Sequence, residues 1–211
     1  MKLNQIIRPV ILAVLLLLPA FIAGAQGSPS PAKVAADVAA KLRNTPGLKA
    51  EFRIDAGGHT SSGSLLVAGS KFRIMTGAYS AWYDGKSLYT LNPRSKETTV
   101  VSPTPSELRE ANPLLFINGA SDSYSLSFSS HQPAGKYMLV LTPKRKGDSL
   151  KSVFITIDRK SLLPESMVVT TTDGAVSTLT ISSLQLNMKV GAGIFIYPRS
   201  KYPAFRIVDL R

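Results

Sequence analysis

The sequence contains no cysteine, only two histidines and one tryptophan. Without cysteine the chain has neither a disulfide framework nor a thiolate metal site, and it has no cysteine to carry a lipid. His59 and His131 stand in apparent turns, and neither has a second imidazole or a carboxylate at ligand spacing. The sequence therefore predicts no metal site.

Motifs for catalysis are also missing. There is no Gly-x-Ser-x-Gly elbow, no His-Glu-x-x-His pair and no convincing Ser-x-x-Lys. "DGKS" (84–87) ends like a phosphate loop, but Ser80 stands where such a loop needs a glycine, so we predict a hairpin turn with Gly85 at positive φ. Carboxylates near strand ends, such as Asp158 and Asp173, are predicted to shape turns. We expect no catalytic residue and no cofactor.

The N-terminus has the pattern of a secretory signal. Lys2 and Arg8 precede an apolar run from Val10 to Ile22, and Ala23-Gly24-Ala25 fits a cleavage site. A membrane-spanning helix is the alternative, but the run is shorter than the ~20 residues that a span needs. We predict that residues 1–25 are removed and that residues 26–211 form one exported domain.

Basic residues outnumber acidic ones. The chain has 25 of the former and 13 of the latter, or +12, and loss of Lys2 and Arg8 with the signal leaves 23 minus 13, or +10. Such a charge attracts anionic membrane surfaces or acidic partners. Nucleic acid is not predicted, because the basic residues are scattered instead of clustered on a helix or among aromatics. The densest patch, "PKRKGDSLK" (143–151), is either a solvated hairpin loop or an electrostatic docking site.

One amphipathic helix is predicted before a long strand-rich region. Ser30 is a plausible N-cap, Pro31 occupies the first helical position, and Val34, Val38 and Leu42 repeat at four-residue spacing. After that helix the period changes from helical to two. About twelve short strands follow, separated by Gly, Asn and Pro, as in an antiparallel meander; "GIFIY" (193–197) and "FRIVDL" (205–210) are the last.

The meander is interrupted once. "TPSE" reads as a capping box, with Thr104 as the cap, Pro105 at N1 and Glu107 at N3. The short helix that it begins is predicted to end at Asn112-Pro113, and four apolar residues (114–117) follow.

Some strands are apolar on both faces, for example "GKYMLVLTP". A sheet with one solvated face does not need this. Either a β-sandwich core or a removable cover over a cavity would explain it. We predict a mainly-β fold in which a curved antiparallel sheet forms an unclosed, half-open barrel covered on one face by short helices.

The order of several segments resembles a known family. "KFRI…AWYDGKSLYTLNP", a short helix with "NPLLFI", "YMLVLTPK…LKSVFITID", "TTTDGAVSTLTI" and "LNMKVGAGIFIYP" occur as in the LolA-type periplasmic carriers of outer-membrane lipoproteins. The resemblance runs from the signal peptide to about Pro198. It implies a half-open barrel with a helical lid over an apolar cavity for acyl chains.

The resemblance also implies partners and a location. Such carriers work in the periplasm, where they take acylated lipoproteins from an inner-membrane ABC-type release complex and hand them to the outer membrane, with or without an acceptor protein there. We predict that the mature chain is a monomer. One feature departs from the family: the arginine that fastens the lid, in the loop before the strand starting at Lys71, is replaced here by Ala68-Gly69-Ser70. Arg73 is either a substitute for it or an ordinary strand arginine.

Strand alternation then predicts the site. The predicted cavity wall is Phe52, Ile54, Leu66, Phe72, Ile74, Trp82, Leu88, Leu139, Leu141, Phe154, Met167, Val169 and Leu179. The predicted lid is Leu108, Leu114, Leu115, Phe116 and Ile117. A lipoprotein- or lipid-binding envelope stress sensor of the same fold is the first alternative function, and an exported hydrolase is a more distant one.

Overall fold

The computed structural model describes residues 28–105, 107, 108, 112, 117 and 120–211. The predicted signal peptide therefore lies outside the described residues. Helix α1 is Pro31–Arg43 and helix α2 is Ala120–Ser123. The strands are β1 Leu48–Ala56, β2 His59–Ala68, β3 Lys71–Thr76, β4 Ser80–Tyr83, β5 Leu88–Asn92, β6 Glu97–Val101, β7 Tyr124–Phe128, β8 Lys136–Pro143, β9 Leu150–Asp158, β10 Pro164–Thr171, β11 Val176–Gln185 and β12 Arg206–Asp209.

All the strands belong to one sheet. Its order is β12-β6-β5-β4-β3-β2-β1-β11-β10-β9-β8-β7, with β12 at one edge and β7 at the other. The two edge strands do not pair with each other, so the curved sheet is unclosed, and the predicted fold class is confirmed. One detail differs from the prediction: β12 runs parallel to β6, whereas the other paired strands are antiparallel. A parallel neighbour needs a long connection, and here the chain crosses the sheet between β11 and β12.

Helix α1 forms for the predicted reasons. The Ser30 side chain accepts a hydrogen bond from the backbone N–H of Lys33 at 3.2 Å, which satisfies one of the free donors of the first turn. Pro31 is the first helical residue, and Val34 and Val38 are buried. The apolar stripe of the helix therefore faces the interior.

The capping box of the second predicted helix is present. The Glu107 carboxylate accepts hydrogen bonds from the backbone N–H of Thr104 at 2.7 Å and from its hydroxyl, and the Thr104 hydroxyl accepts one from the N–H of Glu107 at 3.3 Å. These bonds, led by the one from the Thr104 backbone, lower the pKa of Glu107. Pro105, Glu107 and Leu108 are helical. The start of this helix is confirmed.

The Asp84 turn is a hairpin and not a phosphate loop. The Asp84 carboxylate accepts hydrogen bonds from the backbone N–H groups of Lys86 and Ser87, both at 2.8 Å. Gly85 has φ +100°, a conformation in which a side chain would be strained. The turn joins β4 to β5, as the sequence predicts.

The last segment departs from the prediction. "GIFIY" is not a strand: Ala192–Phe195 form a 3-10 helix, and a second one follows at Arg199–Lys201. Residues 186–211, which we name the C-terminal strap, leave β11 beside Gly47, where the N–H of Met188 donates to the Gly47 carbonyl at 2.8 Å. The strap packs Ala192–Phe195 against β3 and ends in β12. Phe195 and Tyr197 are 1% and 6% exposed, so these two residues of "GIFIY" are buried without pairing in the sheet.

Candidate functional site

The strand register separates the two faces of the sheet. Residues that are directly opposite each other in an antiparallel pair share a face. Leu65, Ile74 and Ala81 form one such row across β2, β3 and β4. Leu66, Arg73 and Trp82 form the neighbouring row on the other face. We call the face of the first row the inner face, because the apolar residues of α1 pack in the same cluster as that row.

One continuous apolar cluster occupies the inner face. Residues from β1 to β5 and from β7 to β11 contribute to it, together with Val34, Val38, Ile117 and Ala120. Leu139, Val153 and Ile157 are 0% exposed at its centre. Among the described residues, no side chain that is charged at neutral pH is buried. The interior therefore offers apolar contact and no ionic one.

A pocket opens into this cluster between β9, β10 and β11. Ser166 is the only polar residue among those that line it. The lining residues are Ile117, Ile155, Pro164, Ser166, Met167, Leu179 and Ile181. Its free volume is about 20 Å³, which holds about one water molecule. In this conformation the side chains that line this pocket leave little free space in it.

Most of the predicted wall residues come together in this cluster. Phe52, Phe72, Ile74, Leu88, Leu139, Leu141, Met167 and Leu179 are buried in it. Ile54 and Val169 pack against it. Met167 and Leu179, which are directly opposite each other, also line the pocket.

Three predicted wall residues lie elsewhere. Leu66 and Trp82 share the outer face with Arg73, and Phe154 shares a face with its register partners Val140 and Val168. The reason is the two-residue period of a strand: in each of these strands the predicted alternation was displaced by one residue, which exchanges its two faces.

The inward residues of those three strands were missed. They are Leu65 in β2, Ala81 in β4, and Val153, Ile155 and Ile157 in β9. In β9 a signal existed, because apolar residues alternate with Ser152, Thr156 and Asp158. A strict count of alternation finds this row, whereas residue size does not.

The predicted lid is described only at its ends. Leu108 packs against the inner cluster, and Ile117 is 5% exposed and lines the pocket. Leu114, Leu115 and Phe116 lie outside the described residues. The lid therefore stays a prediction that two described contacts support.

Arg73 does not face the cluster. Its register partners Leu66 and Trp82 place it on the outer face, on the far side of the sheet from Leu108 and Ile117. Its Nε is buried and has no hydrogen-bond partner among the described residues. Arg73 is thus no substitute for a lid-fastening arginine on the inner face.

The outer face carries a second, aromatic cluster. Trp82, Leu91 and Tyr197 are buried in it, with Tyr89 and Tyr202 packed alongside. Tyr197 stacks on Tyr89 with ring centroids 5.3 Å apart and meets Trp82 edge-on at 5.4 Å. The strap therefore covers the outer face of β4 and β5.

A buried hydrogen bond fixes this contact. The hydroxyls of Tyr197 and Thr98 lie 2.9 Å apart, and both residues are buried. Each hydroxyl satisfies the other in a place where neither reaches water. The strap is held by a directional contact as well as by packing.

The carboxylates near strand ends shape turns. Asp158 accepts hydrogen bonds from the Ser161 backbone N–H at 2.7 Å and from Lys136 at 3.1 Å, and Lys136 also contacts Glu165. These bonds, led by the one from Ser161, hold the pKa of Asp158 well below its usual range. Asp173 bonds its own hairpin through Thr171 and Ala175. In the described part of the chain, no group of three potential ligands that could hold a metal ion was found.

Within the same ranges, no helix is long and apolar enough to cross a membrane. An unclosed sheet around an uncharged apolar interior defines the class: a protein whose inner surface suits apolar binding.

Comparison with known families agrees with that class. Residues 21–183 match the family described as "Outer membrane lipoprotein carrier protein LolA". The chain belongs to this family, which confirms the resemblance noted in the sequence. The match ends before the C-terminal strap. A search of curated protein sequences found no match.

Several solved structures are similar to this chain at low sequence identity, and the first one named here shares its fold. A conserved protein from Thermus thermophilus aligns over 84% of this chain and 98% of its own, with a TM-score of 0.57 and 12% identity. A LolA superfamily protein from Nitrosomonas europaea covers 81% and 99%, with a TM-score of 0.42 and 12% identity. The MucA/MucB complex of Pseudomonas aeruginosa covers 79% and 60%, with a TM-score of 0.43 and 12% identity.

Proposed function

We propose that the mature chain is a periplasmic carrier that shields the acyl chains of lipoproteins in its apolar interior and moves them from the inner to the outer membrane. The observation that carries this proposal is the continuous, uncharged inner-face cluster with its apolar pocket, in a chain of the LolA family. Its partners would be acylated lipoproteins, an inner-membrane ABC-type release complex and an outer-membrane acceptor.

The physical need for a carrier follows from the cargo. An acyl chain of about fifteen methylenes costs on the order of 12 kcal/mol in water, at ~0.8 kcal/mol per methylene. A triacylated protein cannot cross an aqueous space without cover. An apolar interior supplies that cover, and the task needs no catalytic group.

Because the pocket is small, side chains or a segment around it must move when cargo enters there. Its free volume of about 20 Å³ is far below that of an acyl chain. The segment between Leu108 and Ile117 is the proposed moving part, because both of its described ends contact the interior. A helix of about two turns is not stable alone in water, so it depends on packing that an acyl chain can replace.

A pair of neighbouring substitutions in β11 tests the proposal. Ile181 lines the pocket, whereas Thr180 pairs with Arg53 on the opposite face, and both side chains are half-buried. Ile181→Glu places a charge where the acyl chain would lie, and Thr180→Glu places the same charge on the other side of the sheet. We expect Ile181→Glu to weaken binding of a fluorescent fatty acid at least about tenfold and to reduce release of lipoproteins from spheroplasts, with Thr180→Glu near wild type.

Thermal unfolding of both variants accompanies the binding assay. Equal loss of binding in the two variants, or loss that follows only the folded fraction, contradicts an interior site. A protein that binds the fatty acid but releases no lipoprotein supports the sensor alternative. Turnover of a lipid or glycan ester would support the hydrolase alternative.

The lid has its own test. Leu115→Asp or Phe116→Asp is expected to weaken fatty-acid binding while the sheet stays folded. Ser102→Asp, an exposed position just before the capping box, is the control for added charge. If the two lid variants unfold the whole domain, and binding falls only with the folded fraction, the segment is ordinary core.

A further inference from the structure

The C-terminal strap exposes apolar side chains that the inner site does not use. Ile196 is 61% exposed, Ile207 40% and Leu210 65%. Among the described residues, the only other large hydrophobic side chain that is exposed is Val176, at 51%. Exposed apolar side chains grouped on one segment, unlike single scattered ones, point to a binding surface.

Two of these side chains are neighbours of residues that form the buried Thr98–Tyr197 hydrogen bond. Ile196 precedes Tyr197 in the chain, and Ile207 is the register partner of Thr98 in β6. The hydroxyls of Tyr197 and Thr98 are hydrogen-bonded to each other. Ile196 is therefore the chain neighbour of one partner of that bond, and Ile207 is the strand neighbour of the other.

The same segment is basic. The strap contains Lys189, Arg199, Lys201, Arg206 and Arg211 against a single acidic residue, Asp209. Arg206 pairs with Glu97 and Arg211 with Asp209. Lys189, Arg199 and Lys201 are exposed, and none of the three forms an ion pair with the described carboxylates. The strap thus presents unpaired positive charge beside the exposed aliphatic side chains.

This combination fits a lipid surface better than a protein partner. Protein interfaces are anchored by aromatic or arginine side chains that become buried in pockets. The strap already buries Phe195 and Tyr197, at 1% and 6% exposure, and packs the half-buried Tyr202 and Phe205 against its own aromatic cluster. What it exposes is aliphatic and basic, the mixture with which peripheral proteins bind bilayers that carry anionic lipids. Isolated aliphatic side chains can enter the boundary between headgroups and acyl chains, while the basic ones remain at the headgroups.

We propose that the C-terminal strap is a peripheral docking surface for anionic phospholipid bilayers, with Ile196 and Ile207 entering the headgroup boundary and Arg199 and Lys201 neutralising lipid phosphates. Docking through the outer face leaves the inner-face pocket away from the bilayer surface. The matched family range, 21–183, does not include the strap. The proposal does not depend on what the interior binds.

Vesicle co-sedimentation of the mature chain tests it. The probes are phosphatidylcholine vesicles with and without phosphatidylglycerol, at low and at high salt. We expect binding only to the phosphatidylglycerol vesicles, weakened by salt because the contact is electrostatic and exposed. Each basic residue near an anionic surface contributes about a fivefold gain in affinity, so Arg199→Gln/Lys201→Gln should bind roughly thirtyfold more weakly.

A charge-matched variant elsewhere is the control. Arg145→Gln/Lys146→Gln removes the same charge from the exposed β8–β9 hairpin. It should change binding less than about threefold, whereas Ile196→Ser/Ile207→Ser should weaken binding to an extent comparable with the strap charge variant. Fatty-acid binding in the interior should be unchanged in both strap variants, which separates this surface from the carrier site.

Several results would overturn the proposal. One is the absence of vesicle binding at low salt. Another is equal loss in the hairpin control, which would assign the effect to net charge or to the hairpin patch instead of the strap. A third is a wild-type dimer in sedimentation velocity that Ile196→Ser/Ile207→Ser converts to a monomer without any vesicle binding. That last result would assign the surface to a second copy of the chain.

Discussion

The hydroxyl pair that holds the strap gives a prediction with a magnitude. Tyr197 and Thr98 hydroxyls lie 2.9 Å apart in a buried setting, where Thr98 is 0% and Tyr197 6% exposed. Tyr197→Phe or Thr98→Val removes one hydroxyl and leaves the other buried without a partner. An unsatisfied buried hydroxyl costs about 1–3 kcal/mol, so each single variant should lose that much stability. For a domain of this size the loss lowers Tm by about 2–4 °C per kcal/mol.

The double variant is the decisive member of the set. Thr98→Val/Tyr197→Phe removes both hydroxyls and leaves neither unsatisfied, which is close to neutral in a buried site. We expect its free energy of unfolding to be at least as high as that of the less stable single variant. The coupling free energy between the two hydroxyls should be about 1–2 kcal/mol. Urea unfolding measures all four proteins, with Tyr202→Phe as control, because no hydrogen bond of the Tyr202 hydroxyl occurs within the described residues. Additivity of the two single effects within about 0.5 kcal/mol would refute the reasoning.

The reporter for this experiment is built into the chain. Trp82 is the only tryptophan, and its ring meets that of Tyr197 at 5.4 Å. Its fluorescence should therefore follow the strap, and should change in Tyr197→Phe less than in Tyr197→Ala. A fatty acid bound on the inner face should leave it nearly unchanged, since Trp82 lies on the outer face. A large spectral change on fatty-acid binding would contradict this assignment.

Three further predictions use other parts of the sheet. The chain has no cysteine, so Ile181→Cys, at a half-buried position that lines the pocket, should be shielded from a maleimide by a bound fatty acid. Thr180→Cys, on the opposite face, should react at the same rate with and without it. The lowered pKa of Asp158 in the folded state contributes stability that is present above its unfolded pKa of about 3.9 and is lost as the pH falls. Urea unfolding of Asp158→Asn should therefore show less acid dependence than wild type, whereas Lys136→Met should retain part of it, because the largest cause is a backbone N–H. Gly63→Ala should destabilise the domain in thermal unfolding, since its Cβ would lie 2.6 Å from a β3 backbone oxygen and 2.8 Å from an aromatic ring carbon.

Local features of the sequence predicted local structure well. The Ser30 N-cap, the Thr104 to Glu107 capping box and the Asp84 turn all depend on atoms within four residues, and all are present. The period-two segments from β1 to β11 predicted the strands for a similar reason, since alternation is imposed by the pleat of each strand. The mainly-β class followed from their number.

Features set by distant contacts were harder to predict. The facing of Leu66, Trp82 and Phe154 depended on a one-residue register choice that side-chain size could not decide. "GIFIY" has the composition of a strand, yet its first residues belong to the 3-10 helix Ala192–Phe195. This helix contacts β3, and Phe195 is buried there without pairing in the sheet. β12 can pair with β6 only after the chain has crossed the sheet from β11, and no local pattern predicts this crossing. The near absence of free space in the pocket is a property of packing, which no periodicity reveals.

The two faces of the sheet are stabilised by different kinds of contact, and this difference bears on how the interior can open. The outer face is fixed by stacked rings and by the Thr98–Tyr197 hydrogen bond, which lose energy steeply when their geometry changes. The inner face is held mainly by aliphatic side chains, whose contacts have no required direction. Its ring contacts are Phe72–Tyr83 and, on β7 and β8, Phe128–Tyr137. When an acyl chain displaces an aliphatic contact, one apolar neighbour is replaced by another, so the exchange itself costs little free energy. The favourable free energy of loading comes mainly from the transfer of the acyl chain out of water. A sheet braced on the outside can therefore keep its register while the inner side chains and the segment ending at Ile117 move to admit cargo.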